Sequence, residues 1–260
     1  MRFYISQMVE TEKILPILRK YDVGVEVVQF ANPYVLDHRY EIMDEYKREL
    51  KELYNNVDLI IHGPYADLCP GSRDNEIKRV TKLRMEQAFE VANSLGAKKI
   101  LYHNGYMPNT YSNVEWKENV YNYWKEFTKG KNNMPIVIEN VLDETYDLIE
   151  DLMKRVDDEN FNVCIDIGHA NVCSHISVDE WMDKLDFKLN HIHLHNNYGD
   201  KDSHFGINKG NMDIIKILHK LNEKKYDDLT ISLEVADLNE LVESLDILVK
   251  EKFIKLKEER

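Results

Sequence analysis

Nine side chains in this chain are of the types that bind metals and move protons: His62, His103, Glu139, Asp166, His169, His193, Asp202, His204 and Glu234. Imidazole nitrogen and carboxylate oxygen are the donors that zinc, manganese, iron and cobalt accept. No cysteine belongs to the set, so a thiolate structural zinc site is disfavoured. Carboxylates packed together without counter-charge would repel and be forced to protonate, and divalent cations relieve that repulsion. A lone histidine is more often a hydrogen-bonded structural residue than a ligand. The weight here lies in coincidence, because each of these residues falls at or just beyond the end of a short β-branched run.

Those runs cover residues 2–6, 23–30, 57–62, 99–103, 135–140, 162–167, 191–195 and 229–235. Between them lie amphipathic stretches that read as helices over 10–21, 40–54, 74–95, 114–128, 144–156, 178–185, 212–224 and 239–255, with Gly96 and Ser177 as cap residues. Eight alternations of strand and helix in 260 residues predict an α/β fold, a single (β/α)8 TIM barrel spanning 1–260. An open doubly wound sheet would often carry a Gly-rich phosphate loop after its first strand, and none is present. In a barrel the C-terminal strand ends meet at one mouth, so residues distant in sequence become neighbours there.

His191, His193 and His195 alternate along one run and face one side of it. His193 is expected as the ligand, with His195 at the rim and His191 deeper. Glu26 is expected to hold a substrate hydroxyl or form a simple salt bridge. In a phosphoesterase Tyr65 would sit over the substrate beside the cluster, and Lys209 is expected as a phosphate contact or a solvated lysine. The tryptophans, together with His38, His175 and His219, read as packing or surface residues.

The formal net charge of −13 opposes a phosphate backbone, so nucleic acid is a disfavoured partner. The three cysteines show no paired spacing and fit a reduced, cytoplasmic setting. The opening segment does not read as a secretion signal, and no run reaches the roughly 20 apolar residues of a membrane helix. Pairing of two copies through outer helices is open to such a barrel.

The segments IIHGPYADL, ILYHNGY, IVIENV, CIDIGHAN, HLHNNYGDKDSHFGINKG and ISLEV, in this order, resemble the xylose isomerase-like barrel superfamily, which includes sugar isomerases, sugar epimerases and endonuclease IV. The resemblance runs from the second strand to the eighth. It implies that Glu139, Asp166, His193 and Glu234 form a four-ligand metal site in which the two glutamates are also acid and base. It implies further that His62, His103, His169, Asp202 and His204 complete a site of up to three zinc ions, as in the endonuclease branch. The chain departs from that branch at ADLCPG after HGPY, at Gly168 where a cysteine is usual, and at HLHNN where His-x-Asn-Asp is usual.

The reading put first at this level is an isomerase or epimerase of a small sugar, sugar phosphate or polyol. It would use one to three zinc or manganese ions, with Glu139 or Glu234 abstracting a proton beside a carbonyl to give an enediolate. The alternative is a multinuclear zinc phosphoesterase, either an abasic-site endonuclease or a hydrolase of small phosphates.

Overall fold

A computed structural model describes residues 1–257. Eight parallel strands close into one barrel in chain order: β1 (Arg2–Ser6), β2 (Gly24–Val27), β3 (Leu59–His62), β4 (Ile100–His103), β5 (Ile136–Glu139), β6 (Phe161–Asp166), β7 (Leu189–Leu194) and β8 (Thr230–Leu233). β1 pairs with both β2 and β8, which leaves no open edge. The (β/α)8 barrel expected from the alternation is therefore the observed fold.

Strand alternation sorts side chains between two interiors. One set, including Ile5, Val25, Ile61, Ile100, Ile138, Val163, Ile192 and Ile231, packs outward against the helices in one continuous apolar core. Each such aliphatic side chain contributes about 1.5–3 kcal/mol when fully buried. The other set points inside the barrel. There, Leu101, Val137 and Cys164 form a small separate apolar cluster, while Glu26, Glu139, Asp166, His191 and His193 are buried alongside it. A barrel centre this polar is costly unless its groups are paired or bind a ligand.

Helix starts follow the side chains that cap them. Asp74 accepts from the backbone N–H groups of Glu76 and Ile77 to open Asn75–Leu95, which ends at Gly96 in the left-handed conformation, φ 68°. Ser112 and Ser177 cap the helices Asn113–Phe127 and Val178–Lys184 in the same way. Four expectations are corrected. The 40–54 helix is instead Arg39–Leu50, preceded by a short helix Pro33–Asp37 that Asn32 caps with proline in its first turn. The second strand stops at Val27 because the chain turns into a 3-10 segment, Gln29–Ala31. The closing helix ends at Lys250, after which the chain folds back and Leu256 bridges Tyr21. A further short helix, Ile167–Cys173, begins directly at the end of β6, capped by Asp166 accepting from His169 N–H at 2.6 Å. No helix among the described residues is long and apolar enough to cross a membrane.

The floor of the barrel is closed by Lys99, whose buried ammonium donates to the carbonyls of Asn190 (2.6 Å) and Asp228 (2.8 Å). Burial pushes that amine down to about 7. Beside it, Gly24 faces the ring of Tyr4. A Cβ there would sit 2.4 Å from two Tyr4 ring carbons and 2.7 Å from Asp58 O. Gly24→Ala is expected to destabilise the fold by about 1–3 kcal/mol. The loss would appear as a lower urea midpoint with an unchanged slope.

Candidate metal centre

The nine ligand-type residues are brought together at the C-terminal end of the barrel in three groups. His62, His103 and Glu139 form the first, and Glu139, Asp166, His193 and Glu234 the second. His169, Asp202 and His204 form the third, with His195 against them. In each group one donor atom per residue lies within 4.8 Å of the others.

Glu139 belongs to two groups because its oxygens face different ways. Oε2 is 3.1 Å from His103 Nε2 and 3.7 Å from His62 Nε2, while Oε1 is 3.3 Å from both His169 Nδ1 and His193 Nδ1. Asp202 Oδ2 lies 3.3 Å from His169 Nε2 and 3.0 Å from His204 Nε2. Glu234 Oε2 is 3.0 Å from His193 Nδ1.

Hydrogen bonds behind the rings decide which nitrogen faces the cluster. His62 Nδ1 meets Gly63 O at 2.9 Å, His169 Nδ1 meets Asn140 O at 3.0 Å, and His204 Nδ1 meets Glu234 O at 3.0 Å. His193 Nε2 meets Glu26 Oε1 at 2.9 Å. Carbonyl and carboxylate oxygens only accept, so the nitrogen facing each must carry the hydrogen. In the neutral ring the opposite nitrogen then offers a lone pair to the centre, the arrangement that orients metal-binding imidazoles.

The electrostatics are strongly coupled. Burial pushes the carboxyls of Glu139, Asp166 and Glu26 up, but the facing imidazoles outweigh it and hold all three well below the usual range. Glu234 and Asp202 are also lowered, again against burial, by His193 in the first case and by His169 and His204 in the second. Burial lowers His169 and His193, yet Asp166 and Glu26 respectively bring them well above their ordinary value. His204 rises to about 9 against burial through Asp202 and Glu234. Glu139, Asp166, Asp202 and Glu234 thus bring four lowered carboxyls to one mouth, and cations would offset their mutual repulsion.

The donors fit divalent ions on a second ground. Glu139 Oε2, His103 Nε2 and His193 Nδ1 are buried, and none makes a hydrogen bond. The first two are 3.1 Å apart yet do not meet the angles of a hydrogen bond. A buried polar atom without a partner costs about 1–3 kcal/mol, which a bound cation would recover. Cys164, His191 and His193 also lie close together. They do not make a ligand set, because both nitrogens of His191 are taken, Nδ1 by the Thr230 hydroxyl at 2.5 Å and Nε2 by Glu26 at 3.1 Å.

The remaining sequence-derived candidates separate. Tyr65 lies at the mouth, its ring stacked on His103 at 4.7 Å and edge-on to His62 at 5.4 Å. Lys209 is held away by Glu240 at 2.6 Å, over the Phe205 ring. His195 is not at the rim; it is fully buried between Asp166 and His204. Glu26 lies beneath the cluster, fully buried, accepting from His191, His193 and the Ser232 hydroxyl. Its place there is to hold His193. Glu26→Gln is expected to weaken metal binding by about 10–100-fold. Titration of the metal-stripped protein with zinc would check it.

Asn140 went unnoticed in the sequence although it follows Glu139 directly. It grips Asp166 twice, its Nδ2 donating to Asp166 O at 2.9 Å and its Oδ1 accepting from Asp166 N at 2.8 Å. Over the ends of β1 to β3 runs a groove of about 740 Å³ reaching Tyr65, with Gln7, Met8, Gln29 and Asn32 in its walls. No lysine or arginine is among its lining residues.

A family model described as a xylose isomerase-like TIM barrel matches residues 21–251. An uncharacterized protein of Methanocaldococcus jannaschii is 31% identical over 218 residues, covering 78% of this chain and 73% of its own. A probable endonuclease 4 of Campylobacter concisus is 25% identical over 217 residues, covering 75% and 76%. Among solved structures, a D-tagatose 3-epimerase-like protein superposes with a TM-score of 0.77 at 28% identity, covering 97% of this chain and all (100%) of the other.

Proposed function

We propose that this chain, which belongs to the xylose isomerase-like TIM barrel family, hydrolyses a phosphoester of a small molecule at a multinuclear divalent-metal centre. The observation that carries this reading is Glu139, whose two oxygens face two separate ligand sets. A third set lies beyond them. A one-metal isomerase would use only Glu139, Asp166, His193 and Glu234, which leaves the other five donors without a part in it. This reverses the order of the two readings drawn from the sequence.

The first group, the second group and the His169–Asp202–His204 group would each hold an ion, and zinc or manganese suits their donors. Ions held there would supply a Lewis acid for phosphoryl oxygens and lower the pKa of an attacking water. The protein does the rest. Glu234 is 9% exposed, against 2% for Glu139 and none for Asp166, so it is the carboxylate of the second group nearest solvent. It is the group set to take a proton from water, and its Oε2 lies 3.0 Å from His193 Nδ1. Tyr65 screens His62 and His103 from bulk water. The groove would take an uncharged part of the substrate, since its walls offer amides, apolar surface and the carboxylates of Glu10 and Glu49 without a cation. The net charge of −13 favours a small substrate over duplex DNA.

The epimerase reading is retained because Glu139 and Glu234 share the four-residue group around His193, and a groove walled by amides and the Glu10 and Glu49 carboxylates offers hydrogen-bond acceptors to a polyol. The 28% identity to a D-tagatose 3-epimerase-like protein supports it too. One assay separates the two. With zinc or manganese loaded, metal-dependent release of nitrophenolate from bis-(p-nitrophenyl) phosphate is expected. Epimerisation of a ketohexose without phosphoester cleavage would select the other reading.

A further inference from the structure

The helix that begins at the end of β6 brings a glycine against a buried imidazole. A Cβ built on Gly168 would lie 1.9 Å from His195 Cε1, 2.3 Å from its Nε2 and 2.5 Å from its Nδ1. The ring therefore occupies the space that any side chain at 168 would take. The backbone there is tied in place by Asn197, whose Nδ2 donates to Gly168 O at 3.0 Å. His195 itself is fully buried. Its Nε2 is 3.1 Å and 3.3 Å from the two oxygens of Asp166, and its ring lies on His204 with centroids 4.1 Å apart and planes 18° from parallel.

His195 stands close enough to the third group to be counted in it, yet ring geometry argues otherwise. Imidazole lone pairs lie in the ring plane. Two nearly parallel rings 4.1 Å apart cannot both aim in-plane at one ion about 2.0–2.1 Å from each nitrogen. His204 has the better claim, with Nε2 on Asp202 at 3.0 Å and Nδ1 pinned by Glu234 O.

We infer that His195 is a positioning residue that fixes Asp166 of the second group and His204 of the third at once, and that glycine stands at 168 to admit its ring. The inference rests on the multinuclear centre proposed above. It accounts for Gly168 and His195 together: the missing side chain on the helix after β6 leaves room for a ring on the loop after β7. It also couples two ion sites mechanically, so that disturbing one imidazole weakens both.

The test uses the full chain as wild type, His195→Ala, Gly168→Ala and the double variant, stripped and titrated with zinc against a chromogenic chelator. Far-UV circular dichroism is recorded on each. The wild type and His195→Ala should bind the same number of ions, with two of them about 10–100-fold weaker in the variant. Gly168→Ala should reproduce the effect by displacing the ring. Adding it to His195→Ala should change nothing further, because the new methyl group then meets empty space. His195→Gln keeps an N–H donor but cannot stack, and should recover affinity at one ion only; it also replaces the alanine variant if that one does not fold. Loss of a whole ion in His195→Ala would make His195 a ligand and overturn the inference. So would unchanged affinities, or additive losses in the double variant. A wild type that binds no ion would instead overturn the metal centre itself, and the inference with it.

Discussion

Glu139→Gln should lower both bound metal and turnover more than any other single substitution, with activity falling by more than about 100-fold. Loss of a partner behind a ligand typically costs 10–100-fold, so loss of a ligand shared by two groups exceeds that. The amide keeps the shape of the carboxylate but loses its charge and turns one acceptor into a donor. Whichever way it lies, a –NH2 group faces either the His62–His103 side or the His169–His193 side. Because Glu139 is only 2% exposed, water cannot replace the missing acceptor. The fold should survive, since the strand that carries Glu139, β5, is held by backbone pairing with β4 and β6 and by Ile136 and Ile138 in the outer core. Elemental analysis of the purified variant, alongside circular dichroism, reads both halves. Near wild-type metal content and turnover would refute the bridging role.

Metal removal is the second large effect, and its size should depend on pH. Each ion supplied at about 1,000 times its Kd adds roughly 4 kcal/mol. For a domain of this size that is a rise in Tm of about 10 °C, at roughly 2–4 °C per kcal/mol. Binding must displace the protons held on His169, His193 and His204 in the metal-free protein. Affinity should therefore climb with pH until His204 loses its proton near 9. The metal-free fold moves the opposite way. The His204 pKa is raised from 6.5 to about 9, so the stability it contributes is complete below 6.5 and is lost as pH rises through 9. The gap in Tm between loaded and stripped protein should thus widen from pH 6.5 to pH 9. Thermal melts of both forms across that range check it, and a constant gap would mean that no histidine proton is displaced.

Much of this was legible in the residues. The order of ligand types at successive strand ends anticipated a single mouth, and all nine meet there. Depth was not legible. Glu26 pairs in register with Ile60, two residues before His62, so it lies one layer lower than the cluster. Alternation along β2 says that it points inward but not how far up the barrel it stands. The tautomer pins were hidden for another reason: Asn140 O and Glu234 O act on histidines 29 and 30 residues away through their backbone atoms. Backbone atoms leave no mark on residue type. Lys209 was open to either a phosphate or solvent because its partner, Glu240, lies on the last helix. The helix Ile167–Cys173 could have been found, since Asp166 precedes His169 by three residues, the spacing of an N-cap bond.

Metal content per chain, measured by elemental mass spectrometry on protein purified without chelator, tests the central claim most directly. Two or three zinc or manganese ions per chain are predicted, as a multinuclear phosphoesterase requires. A single ion held by Glu139, Asp166, His193 and Glu234 would move the chain to the epimerase reading. No ion, even after reconstitution with zinc and manganese, would contradict the account.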